Sequence, residues 1–224
     1  MRFRFLMQAL ILGAIVIVLA VAVLGVVDNW SDWVVLGVIV GNEGITFKRY
    51  EADDLTIAAA RLRFKLPESV PIATSEPLVG YQDEFIRNFG DFLAPNIHPV
   101  FDRPQLTADV GAAWAREESL KLAKQMKKPV LLKETGFPHG GKEEYSQTSQ
   151  HAFWSAYTEP GVIAHVAGTP DAWAFHGVAF ESFDLPWKSE ESKLAIEKSW
   201  GFLSQKREPY PAFDVWKGIR DARR

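Results

Sequence analysis

From Phe5 to Val27 the chain is apolar throughout, with Gln8 as its only strongly polar residue. After Asp28 the pattern changes to short apolar runs separated by amphipathic stretches. Trp33 to Val40 (WVVLGVIV), Val70 to Thr74, Phe92 to Ile97, Val130 to Lys133 and Gly177 to Phe183 read as strands. Continuous apolar runs suit parallel strands, which are buried on both faces. Helical patterns fall between them, at Ala52–Phe64 and Tyr81–Asn88. Another runs from a Thr107 cap to about Lys127, where Pro129 stops it, and another covers Glu143–Tyr157. A last helix is expected over Pro211–Arg223. This alternation predicts βα units and a parallel sheet.

Polar residues recur where these strands end. They are Asn42 and Glu43, Ser75 and Glu76, Asn96 and His98, Glu134, then Glu181 and Asp184. Five successive strands thus deliver polar groups to one rim. That is the arrangement of the α/β (β/α)8 TIM-barrel class, whose active sites lie at the C-terminal ends of the strands.

The first segment predicts a division of the chain into 1–27 and 28–224. Met1-Arg2-Phe3-Arg4 is short and positive, and residues 5–27 are long enough to cross a bilayer. A cleavable signal has a shorter apolar core, and here the one A-x-A match (Ala20 to Ala22) lies inside the run. An uncleaved transmembrane anchor is therefore expected. Arg2 and Arg4 would stay in the cytoplasm and place the remainder in the periplasm or outside the cell.

Composition narrows the function. The net charge is −3 and no basic stripe occurs, so nucleic acid is not an expected partner. The absence of Cys excludes disulfides and thiol chemistry. His139, His151, His165 and His176 lack ligand spacing, so no metal site and no cofactor are expected. Eight Trp and fifteen Phe are a rich aromatic content for one domain; most serve core packing, and a few are expected to stack on sugar rings.

Glycoside hydrolysis needs two carboxyl groups flanking one bond. Glu43 and Glu134 each follow an apolar strand directly, where a carboxylate is held rigidly and partly desolvated. The plain alternative for either is a capping or salt-bridged residue. Asn42, beside Glu43, is placed to hydrogen-bond a sugar hydroxyl or the nucleophile. The Thr-Gly-Phe-Pro turn after Glu134 would expose its carboxylate.

Four motifs, Val-Gly-Asn-Glu43, Asn96-Ile-His-Pro99, Lys133-Glu-Thr-Gly-Phe-Pro138 and Phe183-Asp-Leu-Pro-Trp-Lys188, with Glu197-Lys-Ser-Trp-Gly-Phe202 following, resemble glycoside hydrolase family 17. The likeness runs from about Asp28 to the tail. It implies a retaining enzyme that acts on β-1,3-glucan or a related β-glucan through a covalent glycosyl-enzyme. Glu43 would be the acid/base and Glu134 the nucleophile. A β-glucan transglycosylase and an inactive, membrane-tethered glucan-binding fragment are the alternatives. The same likeness marks Glu76, His98, Lys188 and Glu197 as substrate-site positions, to which the strand ends add Asn42, Asn96 and Glu181. It marks Phe101, Phe137 and Trp187 as candidates for sugar stacking. Two positions depart from the family pattern. Lys133 stands where Ser is common, and a cation there would lower the pKa of Glu134. Leu185 replaces a frequent acidic residue.

The resemblance begins at strand four. The 224 residues, less the first 27, fall short of the about 250 of a typical barrel. An incomplete barrel of about strands four to eight is expected, preceded by the apolar helix. Truncation, completion by a second copy, or cover from the apolar segment would each account for this. Self-association follows from the second.

Overall fold

The computed structural model describes residues 35, 37–159 and 172–222. The 5–27 segment lies outside them. Among the described residues no helix is long and apolar enough to cross a membrane.

Three parallel strands form the sheet in the order β1 (Val38–Asn42), β2 (Ile72–Pro77), β3 (Ala94–Asn96). β1 pairs with β2 from Val38↔Ile72 to Asn42↔Ser75, and β2 pairs with β3 from Ser75↔Ala94 to Pro77↔Asn96. Two further segments continue the same order by parallel bridges. Leu93 pairs with Val130 and Asn96 with Glu134, after which Thr135 pairs with Ala179. Backbone bonds fix this register, with Leu131 N–H on Leu93 O at 2.8 Å and Ile97 N–H on Glu134 O at 2.9 Å. A parallel bridge from Phe183 to Leu203 extends the succession once more. The expected strands over Val130–Lys133 and Gly177–Phe183 are thus present as bridged segments rather than full ladders.

Helices alternate with the strands. They are α1 (Ala52–Lys65), α2 (Glu84–Asn88), α3 (Pro99–Asp102), α4 (Ala108–Met126), α5 (Gln147–Tyr157), α6 (Ala172–His176), α7 (Pro186–Ser192) and α8 (Pro211–Ala222). α4 starts at the expected Thr107, but the Thr107 hydroxyl makes no capping bond. α5 starts later than expected, because Ser146 and Ser149 form a reciprocal capping box at its first turn. α4 turns small residues inward (Ala108, Gly111, Ala112, Ala115), which lets it pack closely on α5. α8 also packs on α5.

The main core lies under the last strand segments, where Trp154, Trp200, Phe153 and Leu132 are wholly buried. A buried cation ties three helices together there. The Arg116 guanidinium of α4 sits 3.9 Å from the Tyr157 ring centroid and 4.4 Å from that of Phe175.

Candidate active site

The end of β1 is shaped to aim Glu43. The β1–β2 register shifts between Ile39 and Asn42, a bulge that turns the strand end. Gly41 has φ +79, and a Cβ there would meet the Tyr50 hydroxyl at 2.1 Å, so only glycine fits. Glu43 itself has φ 55, a left-handed conformation unusual for a glutamate. Its N–H donates to Ser75 O at 2.7 Å, which anchors the turn to β2.

A chain of polar contacts runs from Glu43 to Glu134. Asn96 Nδ2 donates to Glu43 Oε1 at 2.8 Å and to Asn42 Oδ1 at 3.2 Å. Asn96 Oδ1 accepts from Ser75 Oγ at 2.9 Å. Lys133 Nζ donates to Asn42 Oδ1 at 2.8 Å and also bonds Glu134 Oε1. His98 Nε2 stands 3.6 Å from Glu134 Oε2. Asn96 is buried, whereas Glu43, Lys133 and Glu134 are half-buried and Asn42 is exposed. The group can therefore meet a ligand from one side while the sheet fixes it from the other.

The two glutamates are held differently. Burial alone would raise the Glu134 pKa, but contact with His98 and the Lys133 ammonium outweighs it and lowers the carboxyl to about 2. An ionised carboxylate in this position is a ready nucleophile. Among the described residues Glu43 meets no cation directly; its partner is the neutral Asn96 amide.

Glu181 and Glu197 complete the rim. Lys188 Nζ donates to Glu181 Oε2 at 2.7 Å and lies 4.4 Å from the Phe180 ring centroid. Burial raises the pKa of both Glu181 and Glu197, and the charge of Glu134 adds to this in each case. Glu197 also feels the charge of Glu43. The His98 ring is walled by Phe180 (5.2 Å), Trp200 (5.1 Å) and Phe101 (6.1 Å). Phe101 and Trp187 are about half exposed, as stacking platforms must be.

Two expected site residues lie elsewhere. Glu76 does not reach the rim. It is 0% exposed, and its Oε1 and Oε2 accept from the backbone N–H groups of Ile45 and Thr46, each at 3.1 Å. It therefore fastens the loop that follows Glu43. Phe137 is buried in the core, with its ring against Phe153 (5.6 Å) and Tyr145 (5.4 Å) rather than facing the rim. Glu76→Ala would leave two backbone donors unpaired. A stability loss of about 2–4 kcal/mol is expected in thermal unfolding, together with reduced activity from a loosened Glu43 turn.

A second polar cluster was not expected from sequence. Asp184 accepts from Tyr210 Oη at 2.7 Å and from Gly201 N–H at 3.0 Å, and lies 3.0 Å from His139 Nε2. It joins the loops after Glu134 and Glu181 to the start of α8. Its members are far apart in the chain, so no local motif announces it.

This fold and site define an α/β barrel-type glycosidase scaffold with paired glutamates at its strand ends. The model of the BtgE/BtgC glycoside hydrolase domain matches residues 19–201. The chain therefore belongs to that family, and the resemblance to glycoside hydrolase family 17 holds. A probable β-glucosidase, btgE, from Aspergillus clavatus is 28% identical over 183 residues, covering 79% of this chain and 31% of that protein. A probable glucan endo-1,3-β-glucosidase, btgC, from Aspergillus fumigatus is 27% identical over 220 residues, covering 85% and 30%. The chain thus spans about a third of the length of these curated relatives. A Rhizomucor miehei β-1,3-glucanosyltransferase active-site mutant, in complex with laminaritriose, shares the fold. Its TM-score is 0.64 at 20% identity, covering 85% of this chain and 68% of that one. An endo-laminarinase from Formosa follows at TM-score 0.60 and 18% identity, covering 81% and 58%.

Proposed function

We propose that the chain is a retaining glycosidase acting on β-1,3-glucan, with Glu134 as nucleophile and Glu43 as general acid/base. The observation that carries this is the polar chain joining the two glutamates, with the Lys133 ammonium at its Glu134 end. Glu134, ionised, attacks the anomeric carbon while Glu43 protonates the departing oxygen. Glu43 then takes a proton from the incoming acceptor as the glycosyl group leaves Glu134. Asn42, Asn96, His98, Glu181, Lys188 and Glu197 surround the sugar at this site, and Phe101 and Trp187 offer stacking faces. The names of a probable glucan endo-1,3-β-glucosidase among the relatives and of the β-1,3-glucanosyltransferase neighbour support the glucan.

A sugar acceptor in place of water would make the same site a transglycosylase, which the glucanosyltransferase neighbour favours. Incubating the full chain with laminari-oligosaccharides distinguishes the two. Hydrolysis gives shorter products only, whereas transfer gives oligosaccharides longer than the starting material. No change in either direction would overturn the reading in favour of a non-catalytic glucan-binding fragment.

In the same proposal residues 5–27 anchor the chain, with the catalytic part outside the cytoplasm. Its basis is the uninterrupted apolar run behind Arg2 and Arg4. Recovery of the full-length chain in the soluble fraction after cell breakage would contradict it.

A further inference from the structure

The Lys133 ammonium is bonded to Glu134 and does two things at once. It bonds Glu134 Oε1 and reaches Asn42 Oδ1 at 2.8 Å, the amide next to Glu43 in the chain. The other Glu134 oxygen faces His98 at 3.6 Å. Lys133 is held by the sheet, since its own N–H donates to Pro95 O at 2.9 Å. The other titratable groups around Glu134 are His98, the acidic Glu181 and Glu197, Lys188, which is paired with Glu181 at 2.7 Å, and Glu43, reached through Asn96. Lys188 is engaged by Glu181, so Lys133 is the ammonium that bonds Glu134 itself.

We propose that Lys133 is a positioning residue that acts through Glu134 to speed release of the glycosyl group from the enzyme. The inference rests on the function proposed above. In the release step the bond between the anomeric carbon and the Glu134 oxygen breaks, and its electron pair returns to the carboxylate. Water or a sugar hydroxyl adds at the anomeric carbon and gives its proton to Glu43. Charge grows on Glu134 during this step, next to the ammonium. A fixed cation stabilises that developing charge and makes Glu134 a better leaving group. Through Asn42 the same ammonium keeps the nucleophile in register with the strand end that bears Glu43.

The test compares wild type, Lys133→Met and Lys133→Arg as full chains. Two readouts are taken: the 13C NMR titration of the Glu134 carboxyl, assigned by Glu134→Gln, and rapid-quench kinetics on an aryl β-laminaribioside. In Lys133→Met the Glu134 midpoint should rise by more than one pH unit, since an adjacent opposite charge lowers a carboxyl by about 1–3 units. kcat and KM should fall together by about 10- to 100-fold, with a burst of aryl alcohol equal to the enzyme present. Lys133→Arg should restore both readouts in large part. An unmoved midpoint overturns the inference. So does an unchanged kcat, or a loss confined to kcat/KM without a burst. If wild type fails to cleave the substrate, the proposed function falls, and the titration alone decides whether Lys133 controls Glu134.

Discussion

Glu134→Gln is expected to abolish release of reducing sugar from laminarin, by roughly 10⁴- to 10⁶-fold in kcat. Glutamine keeps the shape of the side chain and a partner for Lys133, but it cannot attack the anomeric carbon. The fold should survive, because Glu134 is half-buried and its strand is held by backbone bonds such as Ile97 N–H to Glu134 O. A circular dichroism melt within a few degrees of wild type would separate lost chemistry from lost structure. Lys133 should keep its bond to Asn42 and find the glutamine oxygen in place of the carboxylate, so substrate binding should weaken far less than turnover.

Glu43→Gln is expected to cost about 10²- to 10⁴-fold on substrates with poor leaving groups. The loss should shrink on aryl glycosides with acidic phenols, which need no proton to depart. The intermediate should then accumulate, since no base remains to activate the acceptor. Small anions such as azide, which need no base, should restore turnover and give a glycosyl azide of retained configuration. Equal losses on all leaving groups would contradict the acid/base role. The Asn96 amide should tolerate the substitution, because a glutamine oxygen accepts the same bond.

Much of the scaffold was legible because buried parallel strands leave an unmistakable pattern. β2 is buried along nearly its whole length, and the run that leads into it is the apolar Val70, Pro71, Ile72 and Ala73, before its polar end. The strand-end position of Glu43 and Glu134 followed from the same pattern. What sequence does not encode locally is the direction of a side chain at a strand end. Glu76 ends a buried strand just as Glu43 does, yet it turns to the Ile45 and Thr46 amides. Ser75, its neighbour, points the other way and supports Asn96. Phe137 misleads for a similar reason, since the turn after Glu134 folds its ring into the Phe153 cluster. The Asp184, His139 and Tyr210 cluster is assembled entirely by tertiary packing. Short helices such as α6 and α7 have too few residues to show a periodicity. Lys133, by contrast, was visible as a departure from the family pattern, and the structure shows what it touches.

The assignment of Glu134 as nucleophile is tested most directly by trapping the intermediate. The full chain is treated with a 2-deoxy-2-fluoro β-laminaribiosyl fluoride, digested, and mapped by tandem mass spectrometry. The account predicts one fluoroglycosyl group on the peptide that carries Lys133-Glu134-Thr135, and none on the Glu134→Gln variant. A label on Glu43, Glu181 or Glu197, or continued laminarin cleavage by Glu134→Gln, would contradict it.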